Sequence, residues 1–268
     1  MERYTGSAIN AWPSFADLML SVVLVLVTIL GATVAFLTTG PDYSAVEASQ
    51  LAIRDAMAEA MKGEFEPGEG IGVYNMTVCT DKLTDVKTDS RSRGSCKKGQ
   101  IEWVFQVTDE PLIQQITFRG QLLFVSGEPN LTDDGENIVK QIGRSIVKQL
   151  PHVREVQIVG HADTDPPRSK SPADETKTSE EEGRQFNLRL ASDRALAVFI
   201  LLEQLGVNPL AKSMSTASYG PYRPVTRGDG PYSVTELDAA NNNEEKKARN
   251  RRIELWLHFT PPSDAVEP

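Results

Sequence analysis

Residues 155–163, EVQIVGHAD, combine alternating and continuous apolar positions and predict a buried β-strand that ends near His161 and Asp163. Residues 132–150 before this strand and 187–206 after it carry apolar side chains at helical spacing, which predicts a helix on each side. A strand between two helices, in a chain with further strand-like runs, indicates helices packed against a sheet.

Two further strands are predicted at 115–127 and 252–259. The latter, RIELWLHF, alternates strictly, so we expect one of its sides to face solvent. A helix at 44–62 and strands at 71–79 and 101–108 come earlier in the chain. The fold class is α+β: an N-terminal transmembrane helix followed by a βαβαβ domain with helices on one mixed sheet.

Residues 15–37 form an uncharged apolar run apart from Asp17. As a helix this run rises ~34 Å, enough to cross a hydrocarbon core of ~30 Å. A cleaved signal peptide is the alternative, although Asp17 and the poor cleavage site around Ala35 speak against it. Arg3 precedes the run and the next basic residue is Arg54, which predicts a cytoplasmic N-terminus and a periplasmic remainder.

Asp17 lies on a stripe of small and polar residues along this helix. At 100° per residue, the stripe comprises Ser21, Leu24, Thr28, Gly31 and Ala35. Such stripes pack against other helices, and an acid within a membrane is by default a functional group. The alternative is an acid at the helix edge that reaches the headgroups. We expect Asp17 to carry an ion.

Cys79 and Cys96 flank a polar loop between two predicted strands, and no other cysteine is present. Two cysteines without nearby histidine make a poor zinc site, whereas an oxidising compartment favours a disulfide. We therefore expect a Cys79–Cys96 bond, with free thiols as the alternative.

The start of the apolar run resembles the transmembrane signature of MotB-type subunits of ion-driven motors. The resemblance rests on Trp12, Phe15, Ala16, Asp17, Leu18 and Met19. In that family the aspartate carries the ion, a role that falls on Asp17. The resemblance also implies two copies of the chain within a pentameric MotA-like membrane subunit, driven by protons or sodium.

The second half of the chain resembles the OmpA-like peptidoglycan-binding family. The matching pieces are Gly160-His161-Ala162-Asp163, Asn187 with Leu190, Arg194-Ala195, Tyr219-Gly220 and Asn250-Arg251-Arg252. Departures are Ala191, where the family usually has serine, and longer loops at 164–185 and 224–248. The first of these loops is predicted to be mobile because it is rich in Pro, Ser and Glu.

This second resemblance implies a site for the diaminopimelate of a peptidoglycan stem peptide. Asp163 would hold its ammonium group and Arg194 a carboxylate, an arrangement that suits a planar guanidinium. The full implied set is Asp163, Phe186, Asn187, Leu190, Arg194, Asn250 and Arg252. The alternative for Asp163 and Arg194 is a structural salt bridge between the two.

Composition narrows the remaining classes of function. The formal net charge of −9 disfavours nucleic acid as a partner. No nucleophile-elbow or phosphate-loop pattern is present, and His161 has no second metal ligand at helical or hairpin spacing, so we expect no enzyme, cofactor or metal.

The chain is predicted to divide into six segments. These are 1–14 (cytoplasmic N-terminus), 15–37 (membrane helix), 38–70 (linker helix), 71–110 (disulfide-stapled strands), 111–262 (OmpA-like domain) and 263–268 (tail).

Together the two resemblances imply an inner-membrane stator that conducts ions and grips the cell wall. The B subunits of Zorya anti-phage defence systems combine the same two parts. The short segment before Trp12 and the stapled strands favour that system over a flagellar stator, and a tether without a motor is the other alternative.

Overall fold

The computed structural model describes residues 12–38, 43–79, 101–165, 180–226 and 233–261. The chain divides into two compact units. Of the described residues, 12–38 form one unit and those from 43 to 261 form the other.

The first unit contains one long helix, α1 (Trp12–Thr38). Its 27 residues rise ~40 Å, and the part from Phe15 to Val34 is long and apolar enough to cross a membrane. Ser21 donates a hydrogen bond to the Asp17 carbonyl, and Thr28 donates one to the Val25 carbonyl, 2.8 Å away. These hydroxyl groups are thus satisfied within the helix, which lets the polar stripe enter an apolar environment.

The second unit is a mixed sheet with helices. Its elements are α2 (Ser44–Met61), β1 (Glu64–Pro67), β2 (Val73–Cys79), β3 (Ile101–Glu110), β4 (Ile113–Arg119), α3 (Gly120–Leu123), α4 (Asp133–Gln149), β5 (Val153–His161), α5 (Glu180–Gln204), β6 (Ser213–Gly220), α6 (Val234–Ala239), α7 (Glu244–Asn250) and β7 (Arg252–Phe259). A 3₁₀ turn, Leu150–His152, joins α4 to β5.

The seven strands found in the described residues belong to one sheet in the order β1-β2-β3-β4-β7-β5-β6. β5 and β6 are parallel, and the other neighbours are antiparallel. Parallel neighbours need a long crossover, which α5 supplies. The α+β fold with helices on one mixed sheet, predicted from the sequence, is confirmed. The predicted boundary at 110/111 falls in the turn between β3 and β4, which pair with each other.

The hydrophobic core lies between the sheet and the helices. The predicted apolar face of α4 is buried at Ile138, Ile142 and Ile146, and Thr132 caps this helix by accepting a hydrogen bond from the Gly135 amide. Leu202 of α5 is 1% exposed and belongs to the same core. A Cβ at Gly160 would lie 2.0 Å from the Ala191 carbonyl oxygen, so glycine lets α5 rest directly on β5.

Two sequence predictions about strands are wrong. The strand predicted over 115–127 ends at Arg119 and a helical turn follows, because the Gly120 amide donates to the Arg251 carbonyl, 2.6 Å away, and turns the chain. The side of β7 that was predicted to face solvent is partly covered: Glu254 on that side is 5% exposed and pairs with Arg252.

Among the described elements, β1, α3, β6, α6 and α7 were not predicted. β6 pairs with β5, α6 lies within the stretch predicted as a loop over 224–248, and α7 begins in that stretch and ends at Asn250. α5 begins at Glu180, inside the other predicted loop. Cys96 lies outside the described residues, so its bond to Cys79 stays a prediction.

Candidate functional site

The segment after β5 carries Asp163 and is held from two sides. The Ala162 amide donates to the Gly220 carbonyl, 2.9 Å away, which joins the segment to the end of β6. The Asn187 side chain of α5 donates to the Asp163 and Asp165 carbonyl oxygens at 3.0 and 2.7 Å. Asn187 therefore positions the backbone that presents the Asp163 carboxylate.

The Asp163 side chain is a nearly buried carboxylate, 5% exposed, with a cationic partner. Arg251 donates to its Oδ2 at 2.5 Å, and the Asp165 amide donates to its Oδ1 at 3.2 Å. Burial raises the pKa of the Asp163 carboxyl group, and the hydrogen bond and charge of Arg251 oppose that rise. Arg251 also pairs with Glu244, so one guanidinium bridges two carboxylates.

Arg194 of α5 is equally buried and is fixed by backbone carbonyls. Its Nε donates to the Glu128 carbonyl at 3.0 Å and its Nη2 to the Val125 carbonyl at 3.1 Å, while the guanidinium lies 5.0 Å from the centre of the Phe124 ring. Burial lowers the pKa of Arg194, whereas the negative charge of Asp163 raises it. The structural salt bridge weighed as an alternative is not formed between these two described residues: Asp163 pairs with Arg251 instead.

The two arginines that precede and begin β7 lie in different places. Arg251 joins the Asp163 cluster, whereas Arg252 donates to Glu254 at 2.7 Å and to the Arg223 carbonyl at 3.2 Å. Successive residues of a strand point to opposite faces, which separates the pair. Sequence reasoning singled out Arg252 and missed Arg251. The strict alternation of RIELWLHF would have put Arg252 on the Glu254 face.

The remaining predicted residues surround the cluster in different roles. Asn250 is 2% exposed; its amide donates to the Ala240 carbonyl and the Asn241 side chain, and its oxygen accepts from the Val225 amide. Its side chain thus fastens neighbouring loops. Phe186 is 38% exposed and Leu190 is half-buried, both on α5 beside Asn187.

α7 adds two charged residues that sequence reasoning placed in a loop. Lys247 pairs with Asp165 at 2.5 Å, and Glu244 pairs with Arg251. The site therefore contains three cationic and three anionic side chains: Arg194, Lys247, Arg251, Asp163, Asp165 and Glu244. Such a mixture suits a ligand that carries both an ammonium group and carboxylates.

A second polar cluster is buried in the sheet around His161, which is 1% exposed. Its Nε2 lies 3.3 Å from Glu254 Oε2, which also accepts a hydrogen bond from Trp256 at 3.0 Å. Burial disfavours ionisation of Glu254, but the neighbouring His161 and Arg252 outweigh it and lower its pKa to about 2. Burial also lowers the pKa of His161. His161 is therefore a packed residue, and its cluster is a structural feature of the sheet.

Comparison with known proteins finds a family similarity in the second half of the chain. Residues 123–237 match the model of the OmpA family, so this part of the chain is similar to OmpA-like domains. No curated protein matches the sequence.

Solved structures similar to this chain include the periplasmic domain of MotB from Helicobacter pylori, with 21% identity, a TM-score of 0.42 and coverage of 59% of this chain and 82% of that one. A putative MotB-like protein from Desulfovibrio vulgaris is 16% identical, with a TM-score of 0.43 and coverage of 59% and 82%. The cell wall anchor of the T6SS from Pseudomonas aeruginosa is 21% identical, with a TM-score of 0.42 and coverage of 58% and 88%.

Proposed function

We propose that this chain is a membrane-anchored peptidoglycan-binding protein whose site holds the diaminopimelate of a stem peptide. The observation that carries the proposal is the buried Asp163 carboxylate, set among the guanidinium groups of Arg194 and Arg251. Burial of a charged cluster at the end of β5 costs desolvation energy. Such clusters are typical of sites that bind a charged ligand.

In this proposal, each side chain has a role set by its chemistry. Asp163 binds the ligand ammonium, and Arg194 and Arg251 bind its carboxylates. Asn187 positions the Asp163 segment, and Asn250 fastens the loops beside it. Phe186 and Leu190 supply apolar surface for the aliphatic chain of the ligand.

Pelleting of the full-length protein with purified sacculi tests this proposal. Asp163→Asn removes the anion and should reduce the affinity for sacculi, measured by pelleting over a range of sacculus concentrations, by ~10–100-fold, which corresponds to a lost charged contact of ~1.5–3 kcal/mol. Asp193→Asn is the matched control, because Asp193 lies exposed on α5 next to Arg194. Equal pelleting of a folded Asp163→Asn protein and the control would refute the site.

Asp17 supports a second, finer proposal: the chain is the B subunit of an ion-driven motor in the inner membrane. Two copies would lie within a pentameric MotA-like ring, with the N-terminus cytoplasmic and the OmpA-like domain periplasmic. Asp17 on its stripe of small residues would carry protons or sodium, a role that a simple tether does not need. Asp17→Asn should abolish motor activity, whereas Asp17→Glu, which retains the acid, should keep part of it. Full activity of Asp17→Asn would remove the ion-carrying role.

We place this motor in a Zorya-type anti-phage defence system rather than in a flagellum. The support is the segment formed by strands β2 and β3 with the cysteine-bearing stretch between them, which is unlike a typical flagellar stator subunit. Deletion of the gene should sensitise its host to phage and leave swimming unchanged. Loss of swimming with unchanged phage resistance would favour the flagellar alternative.

A further inference from the structure

One side of the sheet forms the hydrophobic core with the helices, and the other side carries little charge. Leu255, Leu257 and Ile158 belong to the core, and successive residues of a strand point to opposite faces, so Trp256 and Gln157 lie on the other side. The row of cross-strand neighbours through Trp256 contains no charged residue; it comprises Val73, Thr108, Gln115, Trp256, Gln157 and Ser215.

The next row on this side, from Asn75 of β2 to Ala217 of β6, contains one charged residue, Glu254, which is buried and paired with Arg252. Charged residues make up 24% of the whole chain. The centre of this side of the sheet is therefore a neutral, polar surface on a protein that is otherwise rich in charge.

Trp256 lies near the middle of its row with a glutamine on each side. Gln115 of β4 and Gln157 of β5 are its direct cross-strand neighbours, and all three side chains are half-buried. The Trp256 indole donates to Glu254 at 3.0 Å, which fixes the orientation of the ring. An aromatic ring that is already held in place loses little conformational freedom when a ligand binds to it.

We propose that this Gln115–Trp256–Gln157 row binds the glycan strand of peptidoglycan, with a sugar ring stacked on Trp256. The inference rests on the proposed peptidoglycan binding and adds a second contact to it. A sugar ring presents C–H groups to the electron-rich face of an indole, and its hydroxyl and acetamido groups can donate to and accept from glutamine side chains. The glycan is neutral, because its carboxyl groups are consumed in linking the stem peptides, so it is not repelled by a chain of net charge −9.

Other classes of partner fit this surface less well. A nucleic acid needs cationic side chains, and a lipid surface needs a broad apolar patch. The centre of a protein interface is typically rich in aromatic and apolar residues, whereas this row has one aromatic ring among amides and hydroxyl groups. Such a surface suits an uncharged, hydroxylated polymer.

The row lies at a distance from Asp163 that one branched ligand covers. Six residues at ~3.3 Å each place Asp163 ~20 Å from Gln157 along β5 and the segment that follows it. Three extended residues of a stem peptide span ~10 Å. The sugar that carries the peptide therefore lies between the two sites, and a neighbouring sugar on the same strand reaches Trp256.

Calorimetric titration of the full-length protein in detergent with two separate probes tests this proposal. One probe is peptidoglycan glycan strands freed of stem peptides by an amidase, and the other is the diaminopimelate stem peptide alone. Trp256→Leu removes the ring and should weaken glycan binding ~10-fold while leaving peptide binding unchanged. Trp256→Phe also loses the hydrogen bond to Glu254 but keeps a ring, so it should retain most of the glycan affinity. Asp163→Asn should show the opposite pattern to Trp256→Leu, which distinguishes failure of one site from failure of the other.

A glutamine substitution tests the polar part of the row. Gln157→Ala should weaken glycan binding ~3–10-fold through lost hydrogen bonds. Gln204→Ala is the matched control, because Gln204 is exposed at the end of α5, on the helix side of the sheet. Absence of glycan binding by the unsubstituted protein, or equal glycan binding by the folded Trp256→Leu and Trp256→Phe proteins, would overturn the proposal. A changed oligomeric state of Trp256→Leu at unchanged glycan affinity would also overturn it and assign this surface to contact between copies.

Discussion

Replacement of Arg194 by alanine should weaken the fold as well as ligand binding. The guanidinium makes two hydrogen bonds to backbone carbonyls, those of Glu128 and Val125, and lies against the Phe124 ring. Hydrogen bonds from a charged donor contribute ~1.5–3 kcal/mol each. Val125 is 57% exposed, so water can replace part of its bond. We therefore expect the free energy of unfolding to fall by ~2–4 kcal/mol.

Arg194→Lys is the informative companion to this change. Lysine keeps the charge but cannot reproduce the planar fork that reaches two carbonyls, so it should recover less than half of the lost stability. Urea denaturation of the full-length protein in detergent, followed by circular dichroism, measures both variants. A loss below ~0.5 kcal/mol for Arg194→Ala, the range of ordinary surface substitutions, would refute the role of these bonds.

Three further results are expected. The folded protein holds the pKa of Glu254 at about 2, below the ordinary value of 4.5. Ionised Glu254 should therefore add ~3 kcal/mol to the free energy of unfolding above pH ~4.5, and this stability should be lost as the pH falls towards 2. Glu254→Gln should flatten this part of the curve of stability against pH, and an unchanged curve would contradict the ion-pair cluster. Gly160→Ala should destabilise the domain by at least ~2 kcal/mol, since its Cβ would meet the Ala191 carbonyl; a neutral effect on the melting temperature would be inconsistent with this packing. Mass spectrometry of non-reduced digests should find Cys79 linked to Cys96, and two free thiols would refute that bond.

Local patterns predicted the parts of the fold that make local contacts. The apolar spacing of Ile138, Ile142 and Ile146 identifies α4 because a helical face repeats within a few residues. β6 escaped prediction because SMSTASYG has little apolar alternation; this strand is defined by its pairing with β5. The first turns of α5 escaped for a similar reason, since their contacts are polar ones such as Arg184 with Glu181.

The candidate site shows the same division between local and long-range information. Asp163, Asn187 and Arg194 were chosen from the sequence, and the structure brings them together around the end of β5. Arg251 and Lys247 were missed because their roles depend on where β7 begins and on α7 lying beside Asp165. Such contacts join residues more than 80 positions apart, and no local pattern reports them.

Calorimetric titration of the full-length protein with two stem peptides tests the proposed wall anchor most directly. The peptides should differ only in the third residue, diaminopimelate in one and lysine in the other, which lacks the second carboxylate. The proposed roles of Arg194 and Arg251 predict that the lysine peptide binds at least ~10-fold more weakly than the diaminopimelate peptide. Asp163→Asn should weaken the binding of both peptides by ~10–100-fold. Equal affinity for the two peptides, or undiminished binding by a folded Asp163→Asn protein, would contradict the proposed site.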